Sequence, residues 1–137
     1  MDETDDDIRW KERFENFCKA LARLESALQQ KDFSILEKDG VIKRFEFTVE
    51  LAWKTLQDLL NERGHPKVKG PKPVIKQAFK DEIIDDGQSW INMLDDRNKS
   101  THLYDENMSV EVFDKIQNQY FALLTGFKNH ILQEEDE

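Results

Sequence analysis

The chain has 137 residues, 38% of them hydrophobic and 36% charged, with only five glycines and three prolines. That length fits one compact domain and excludes a multidomain enzyme, and the scarcity of turn formers argues against an all-β sandwich and for helices. The net charge of −9 sits at the two ends, −5 within residues 2–7 and −4 within residues 134–137, leaving residues 8–133 neutral.

Residues 1–7 and 134–137 are therefore expected to be solvated, disordered acidic tails around a single domain over 8–133. The apolar stretches, such as Phe121 to Leu124, fall far short of the roughly 20 residues a membrane helix needs. The acidic amino terminus has neither the basic nor the apolar region of a secretory leader, so a cytoplasmic location away from membranes is expected. Cys18, the one cysteine, has no partner for an intramolecular disulfide and is read as a small side chain at least half-buried. No His-Glu-x-x-His pattern or cysteine set offers a metal site, and neither metal nor cofactor is expected.

In chain order, Trp10, Phe14, Phe17, Leu21, Leu24 and Leu28 recur at steps of four and three, one stripe of an amphipathic helix. A second helix is predicted from Ser34 to about Arg63 on Ile42, Phe45, Val49, Ala52, Leu56 and Leu59, with Ser34 and Glu37 spaced as a capping box. Phe47 and Leu51 lie off that stripe, so this helix is expected to meet neighbours on both flanks, within the fold or in a second subunit. Gly64 to Pro73 holds two glycines and all three prolines and is predicted to be a loop. A short helix should follow, with Pro73 near its start, Val74, Ala78 and Phe79 facing inward, and Asp85-Asp86-Gly87 ending it. A fourth helix from about Gln88 would bury Trp90, Met93 and Leu94. The last, from about Ser109 to Leu132, carries Phe113, Ile116, Tyr120, Leu123, Phe127 and Ile131 on one stripe. The predicted architecture is all-α: an antiparallel up-and-down bundle of about five helices, with Trp53 and Trp90 as core anchors.

Chemistry concentrates after the fourth helix, where Arg97, His102 and Tyr104 fall within eight residues. Imidazole moves a proton near neutral pH, guanidinium holds a phosphate with paired donors, and a phenol donates a hydrogen bond or is modified. In a straight helix Arg97 and His102 would be offset by about 140°, so convergence needs a helix break or a second subunit. The competing reading pairs Arg97 with Asp95, Asp96 or a bundle glutamate and leaves His102 as a helix end. Glu46 and Glu50 stand four apart on one face, to flank a cation or Arg97, or to point at solvent; Glu50 and Lys54 fit an ion pair along the helix.

The blocks Phe45-Glu-Phe-Thr-Val-Glu-Leu-Ala-Trp-Lys54, Pro73-Val-Ile-Lys-Gln-Ala-Phe79, Trp90-Ile-Asn-Met-Leu-Asp-Asp-Arg-Asn98 and His102-Leu-Tyr104 together resemble the nucleotidyltransferase substrate-binding proteins of the HEPN superfamily. The resemblance spans about residues 10–132. It implies a helical bundle like the C-terminal domain of kanamycin nucleotidyltransferase, which forms a homodimer and associates with a minimal nucleotidyltransferase encoded beside it. Some relatives are regarded as the substrate-binding half of a split transferase. Others are toxins in a toxin-antitoxin pair, with an Arg-x4-6-His motif forming a metal-independent ribonuclease site at the dimer interface and a tyrosine two residues on adenylylated by the partner. On that pattern Arg97 would stabilise the phosphorane, His102 would assist attack of the ribose 2′-hydroxyl, Tyr104 would be modified, and Asn98 would orient the site. The alternative is a non-catalytic module binding the partner's substrate beside Arg97, Glu46 and Glu50; a third is a purely assembling subunit. Arg63, Lys67, Lys69, Lys72, Lys76 and Lys80 form a run with no intervening acid, read either as a guide for RNA or an acidic partner or as a solvated basic surface. No Gly-Ser with paired metal-binding aspartates is present, so transferase activity in this chain alone is not expected.

Overall fold

A computed structural model describes residues 5–101 and 106–136. Its elements are α1 (Asp5–Ala27), α2 (Ile35–Glu62), α3 (Pro71–Lys80), α4 (Gly87–Ser100), α5 (Glu106–Lys115), a π turn (Ile116–Tyr120) and α6 (Phe121–Glu135). The backbone stays right-handed helical through Lys115, Tyr120 and Phe121, so α5, the π turn and α6 form one rod. Five helical rods and no strand are present among the described residues, as the periodicity predicts.

The α1 and α2 stripes zip into an antiparallel hairpin: Arg13 meets Asp58 at one end, and Arg44 reaches the Arg23 carbonyl at the other. Phe14 and Phe17 on α1 pack on Phe127 of α6, with Trp90 of α4 edge-on to the same ring. These meetings explain the spacing of the stripes, because each apolar face is covered by the next rod.

The capping box at Ser34 forms in both directions: the Glu37 N–H donates to Ser34 Oγ at 3.1 Å, and the Ser34 N–H donates to Glu37 Oε1 at 3.0 Å. Ser34→Ala is expected to lower stability by about 1 kcal/mol, read by chemical denaturation. At the other end of α2, Gly64 takes φ 98°, its N–H donating to the Asn61 carbonyl and the His65 N–H to the Leu60 carbonyl. This closure needs a left-handed residue, which glycine supplies without a Cβ clash.

α3 has Pro73 in its first turn, as expected, but begins within the predicted loop and ends early. It starts at Pro71, after Gly70 at φ 89°, whose N–H donates to Gln57 Oε1 at 2.9 Å. It ends at Lys80, not at Asp85-Asp86-Gly87, because Glu82 turns left-handed (φ 61°) and Ile83 bonds back to the Ala78 carbonyl. Asp86 instead caps α4, accepting from the Ser89 N–H and hydroxyl. Ile75 joins Val74 and Ala78 inside, while Phe79 is 50% exposed and covers Gly87, where a Cβ would come within 3.0 Å of its ring. In the last rod the π turn yields two consecutive steps of four, Ile116 to Tyr120 to Leu124, so Leu124 rather than Leu123 is fully buried.

Of the acidic ends, Asp5 to Asp7 and Glu134 to Glu135 lie within helices. Asp5, Asp6 and Asp7 form the first turn of α1, where carboxylates meet the positive end of the helix dipole. Glu134 near the end of α6 bonds Arg63 and His130. Burial opposes charge on Glu134, but these two partners outweigh it and hold its carboxyl below the ordinary range. Trp90 is a core anchor; Trp53 is only half-buried, and Phe47 stands 59% exposed. No described helix is long and apolar enough to cross a membrane. Cys18 is half-buried, and burial pushes its thiol up.

Candidate functional site

The last turns of α4 bring Arg97 against the middle of α2. One guanidinium nitrogen, Nη2, donates to Glu50 Oε2 at 2.6 Å and Nη1 donates to Asn98 Oδ1 at 3.1 Å. Its Nε–H is buried and without a partner among the described residues. Glu50 is further held by Trp53 Nε1 at 3.1 Å and Lys54 at 3.0 Å. Three residues on, Ser100 Oγ donates to Glu46 Oε2 at 2.8 Å, and Lys43 approaches the other Glu46 oxygen at 3.6 Å. The two glutamates thus clamp the α4 terminus onto α2 at two points, through Arg97 and Ser100.

Burial alone would raise the Glu50 carboxyl, but hydrogen bonds from Lys54 and Trp53 and the charges of Arg97 and Lys54 prevail and hold it below the ordinary glutamate value of 4.5. A depressed carboxyl stabilises the fold above its unfolded value and loses that contribution as pH falls through its folded value. The difference in unfolding free energy between the parent and Glu50→Gln is therefore expected to be constant above pH 4.5 and to close below it, as denaturation at a series of pH values would read.

Behind Arg97, the Asp96 carboxylate is nearly buried and accepts from the Tyr120 hydroxyl, with Lys115 at 3.2 Å. Burial, then Asp96, pushes the Tyr120 phenol well above its ordinary range, so it stays a donor. Tyr120 also stacks on Phe45, ring centroids 5.7 Å apart, next to Glu46 in sequence. The π turn thereby anchors both walls from below.

An open cleft of about 690 Å³ lies over Arg97, Glu46 and Glu50, bounded by Arg23, Lys43, Arg44 and Phe47. A second, about 410 Å³, runs from Lys43 and Glu46 toward Met108 and Val112. Sequence reasoning missed Arg23, Lys43, Arg44 and Ser100. Only the adjacent Lys43-Arg44 pair, one helical turn before Phe47, signalled the first cleft.

Of the residues singled out from sequence, Arg97, Asn98, Glu46 and Glu50 come together; Glu50 fulfils the expectation of a bundle glutamate beside Arg97. His102 and Tyr104 lie outside the described residues. None of the basic run lines the Arg97 cleft. Within it Arg63 pairs with Glu134 and Lys72 with Asp95, whereas Lys67, Lys69, Lys76 and Lys80 are exposed and have no ion pair among the described residues. No group of three or more His, Cys, Asp or Glu side chains could hold a metal among the described residues.

Residues 12–133 match the model of the family described as nucleotidyltransferase substrate binding protein like. The chain belongs to this family. Among solved structures, the substrate-binding-like fold superposes on a Thermus thermophilus protein with a TM-score of 0.75 and 33% identity, covering 81% of this chain and 94% of that one. A Haemophilus influenzae protein, whose structure is said to reveal the fold of a substrate binding domain of a nucleotidyltransferase, gives a TM-score of 0.71 at 23% identity over 85% of this chain and 96% of its own; that likeness concerns the fold. A curated relative, the probable ribonuclease HepT of Haemophilus influenzae, is 30% identical over 82 residues, 56% of each chain, so the match spans about half the curated relative's length.

Proposed function

We propose that this substrate-binding-family chain is a metal-independent endoribonuclease, acting as the toxin of a toxin-antitoxin pair with a minimal nucleotidyltransferase. The observation carrying this reading is Arg97. It is fixed by Glu50 and Asn98 at the wall of an open cleft with a buried, unpartnered Nε–H, five residues before His102. In the reaction His102 takes the ribose 2′ proton as the 2′ oxygen attacks phosphorus. The bond to the 5′ oxygen breaks, leaving a 2′,3′-cyclic phosphate and, after proton return, a 5′-hydroxyl. Arg97 holds the extra negative charge on the phosphoryl oxygens. Asn98 keeps the guanidinium turned toward the cleft. Tyr104 is the residue the partner modifies, and the working unit is a cytoplasmic homodimer.

The test is cleavage of total RNA under excess chelator by the purified chain and by His102→Ala. Cleavage by the parent and none by the variant supports the reading; equal cleavage by both, or none by an unmodified parent, rejects it. A second reading is favoured by the cleft volume of about 690 Å³, large enough for a small molecule: a non-catalytic subunit binding the partner's nucleotide or other substrate beside Arg97, Glu46 and Glu50. Saturable nucleotide binding that weakens in Glu50→Ala, with no RNA cleavage, would establish it.

A further inference from the structure

We infer that Asp96 and Tyr120 are positioning residues for Arg97: the hydrogen bond between them, placed by the π turn, holds the guanidinium in the orientation its chemistry needs. This rests on the preceding reading in taking Arg97 as the charge-stabilising group. Asp96 and Tyr120 act through Arg97 and are not assigned a contact with the substrate.

The place of the carboxylate is the first observation. On α4 the buried positions run Trp90, Met93, Leu94 and then Asp96, so an acid stands where an apolar side chain would complete the stripe. It is only 8% exposed. Burying a carboxylate is costly, and well-packed apolar residues in place of a buried polar pair are often neutral or stabilising for a fold. What the carboxylate adds is direction. A hydrogen bond fixes its partners in distance and angle, whereas an apolar contact does neither.

The partners bring that direction to bear on Arg97. Asp96 and Arg97 are consecutive on α4, so their side chains leave the helix about 100° apart. Glu50 on α2 holds the guanidinium at 2.6 Å, while Tyr120 on the last rod donates to the carboxylate. Lys115 approaches the same carboxylate oxygen at 3.2 Å. Two different elements therefore grip one turn of α4, and rolling that turn would break one grip or the other. Tyr120 also sets the opposite wall. Its ring lies within 14° of parallel to that of the fully buried Phe45, one residue before Glu46 and five before Glu50. One ring thus spaces the α4 terminus from the carboxylates of α2.

The backbone points the same way. Tyr120 closes the π turn, in which the Phe121 N–H donates to the Ile116 carbonyl, and such insertions in helices are frequent at functional sites. Here the insertion carries the hydroxyl that holds Asp96.

The test uses the full chain, unmodified. Tyr120→Phe removes the hydroxyl and keeps the stacked ring. Its single-turnover cleavage of RNA should fall by about 10- to 100-fold, the scale of a small misplacement of a reacting group, with KM unchanged. In an Arg97→Ala background the same substitution should cost nothing further, because the hydroxyl acts through Arg97. The apolar pair Asp96→Leu with Tyr120→Phe should fold as well as the parent yet remain slow. A second readout is NMR of the isotope-labelled chain. The Arg97 Nε–H and the Trp10 indole N–H are both buried without a partner among the described residues. In Tyr120→Phe exchange with water should quicken at Arg97 and stay unchanged at Trp10.

An equal fall in rate with and without Arg97, or equal quickening at Arg97 and Trp10, makes the pair a support of the fold alone and overturns the inference. So does full activity in the apolar pair. The ribonuclease reading fails separately: no cleavage by the parent, with exchange quickened at Arg97 only, keeps the positioning and rejects the nuclease. Cleavage that is lost in His102→Ala yet indifferent to Tyr120→Phe does the reverse.

Discussion

Arg97→Ala is expected to lower RNA cleavage by about two to three orders of magnitude while helical content is retained, the range seen when one charge-stabilising donor is removed from a reaction centre. The fold should tolerate the change because Glu50 keeps Trp53 and Lys54 as partners and Ser100 still ties α4 to Glu46. Arg97→Lys should not restore cleavage. A lysine brings charge but no fixed fork, so it cannot engage Glu50, Asn98 and a phosphoryl oxygen together. Single-turnover cleavage rates with circular dichroism of each variant decide the matter, and a rate within tenfold of the parent for Arg97→Ala would remove Arg97 from the chemistry.

Phe17→Ala should have the largest effect on stability, about 3–5 kcal/mol. The ring is fully buried on α1, with centroids 6.1 Å from Phe14 and 5.4 Å from Phe127, so truncation opens a cavity where α1 and α6 meet. Against a typical domain stability of about 5–15 kcal/mol, such a loss shifts the midpoint of chemical denaturation far toward water. Phe47→Ala supplies the contrast: the same residue type, mostly exposed, should change stability by no more than about 0.5 kcal/mol. Similar midpoints for the two variants would contradict the core assignment.

The helices were legible where one physical signal dominated. The α1 stripe and the Ser34–Glu37 box each encode a local pattern, and both form. Where the outcome depended on the backbone, the letters misled. Glu82 adopts the left-handed turn usually left to glycine, so the end of α3 carried no punctuation, and the π turn moved burial from Leu123 to Leu124. Periodicity assumes an unbroken 3.6-residue repeat and is blind to an inserted residue.

The site was legible to the same degree. Arg97, Asn98, Glu46 and Glu50 could be named from motif and spacing, since each pair shares a helix. The cations of the cleft could not, because Arg23 and Arg44 are 21 residues apart and meet only when the α1–α2 hairpin closes. The basic run from Arg63 to Lys80 was the louder charge signal in the sequence, and none of it lines the Arg97 cleft.

The π turn gives the last rod a divided allegiance. Before it, Val112 and Phe113 are buried; within it, Ile116 and Tyr120; after it, Leu124, Phe127 and Ile131, and at the turn Phe121 bonds back five residues to the Ile116 carbonyl. Tyr120 on this turn grips Asp96, while Phe127 farther along grips Phe14 and Phe17. One continuous rod therefore acts as a splint, tying the α1–α2 hairpin to the helix that carries Arg97. Loosening either half should be felt at the other.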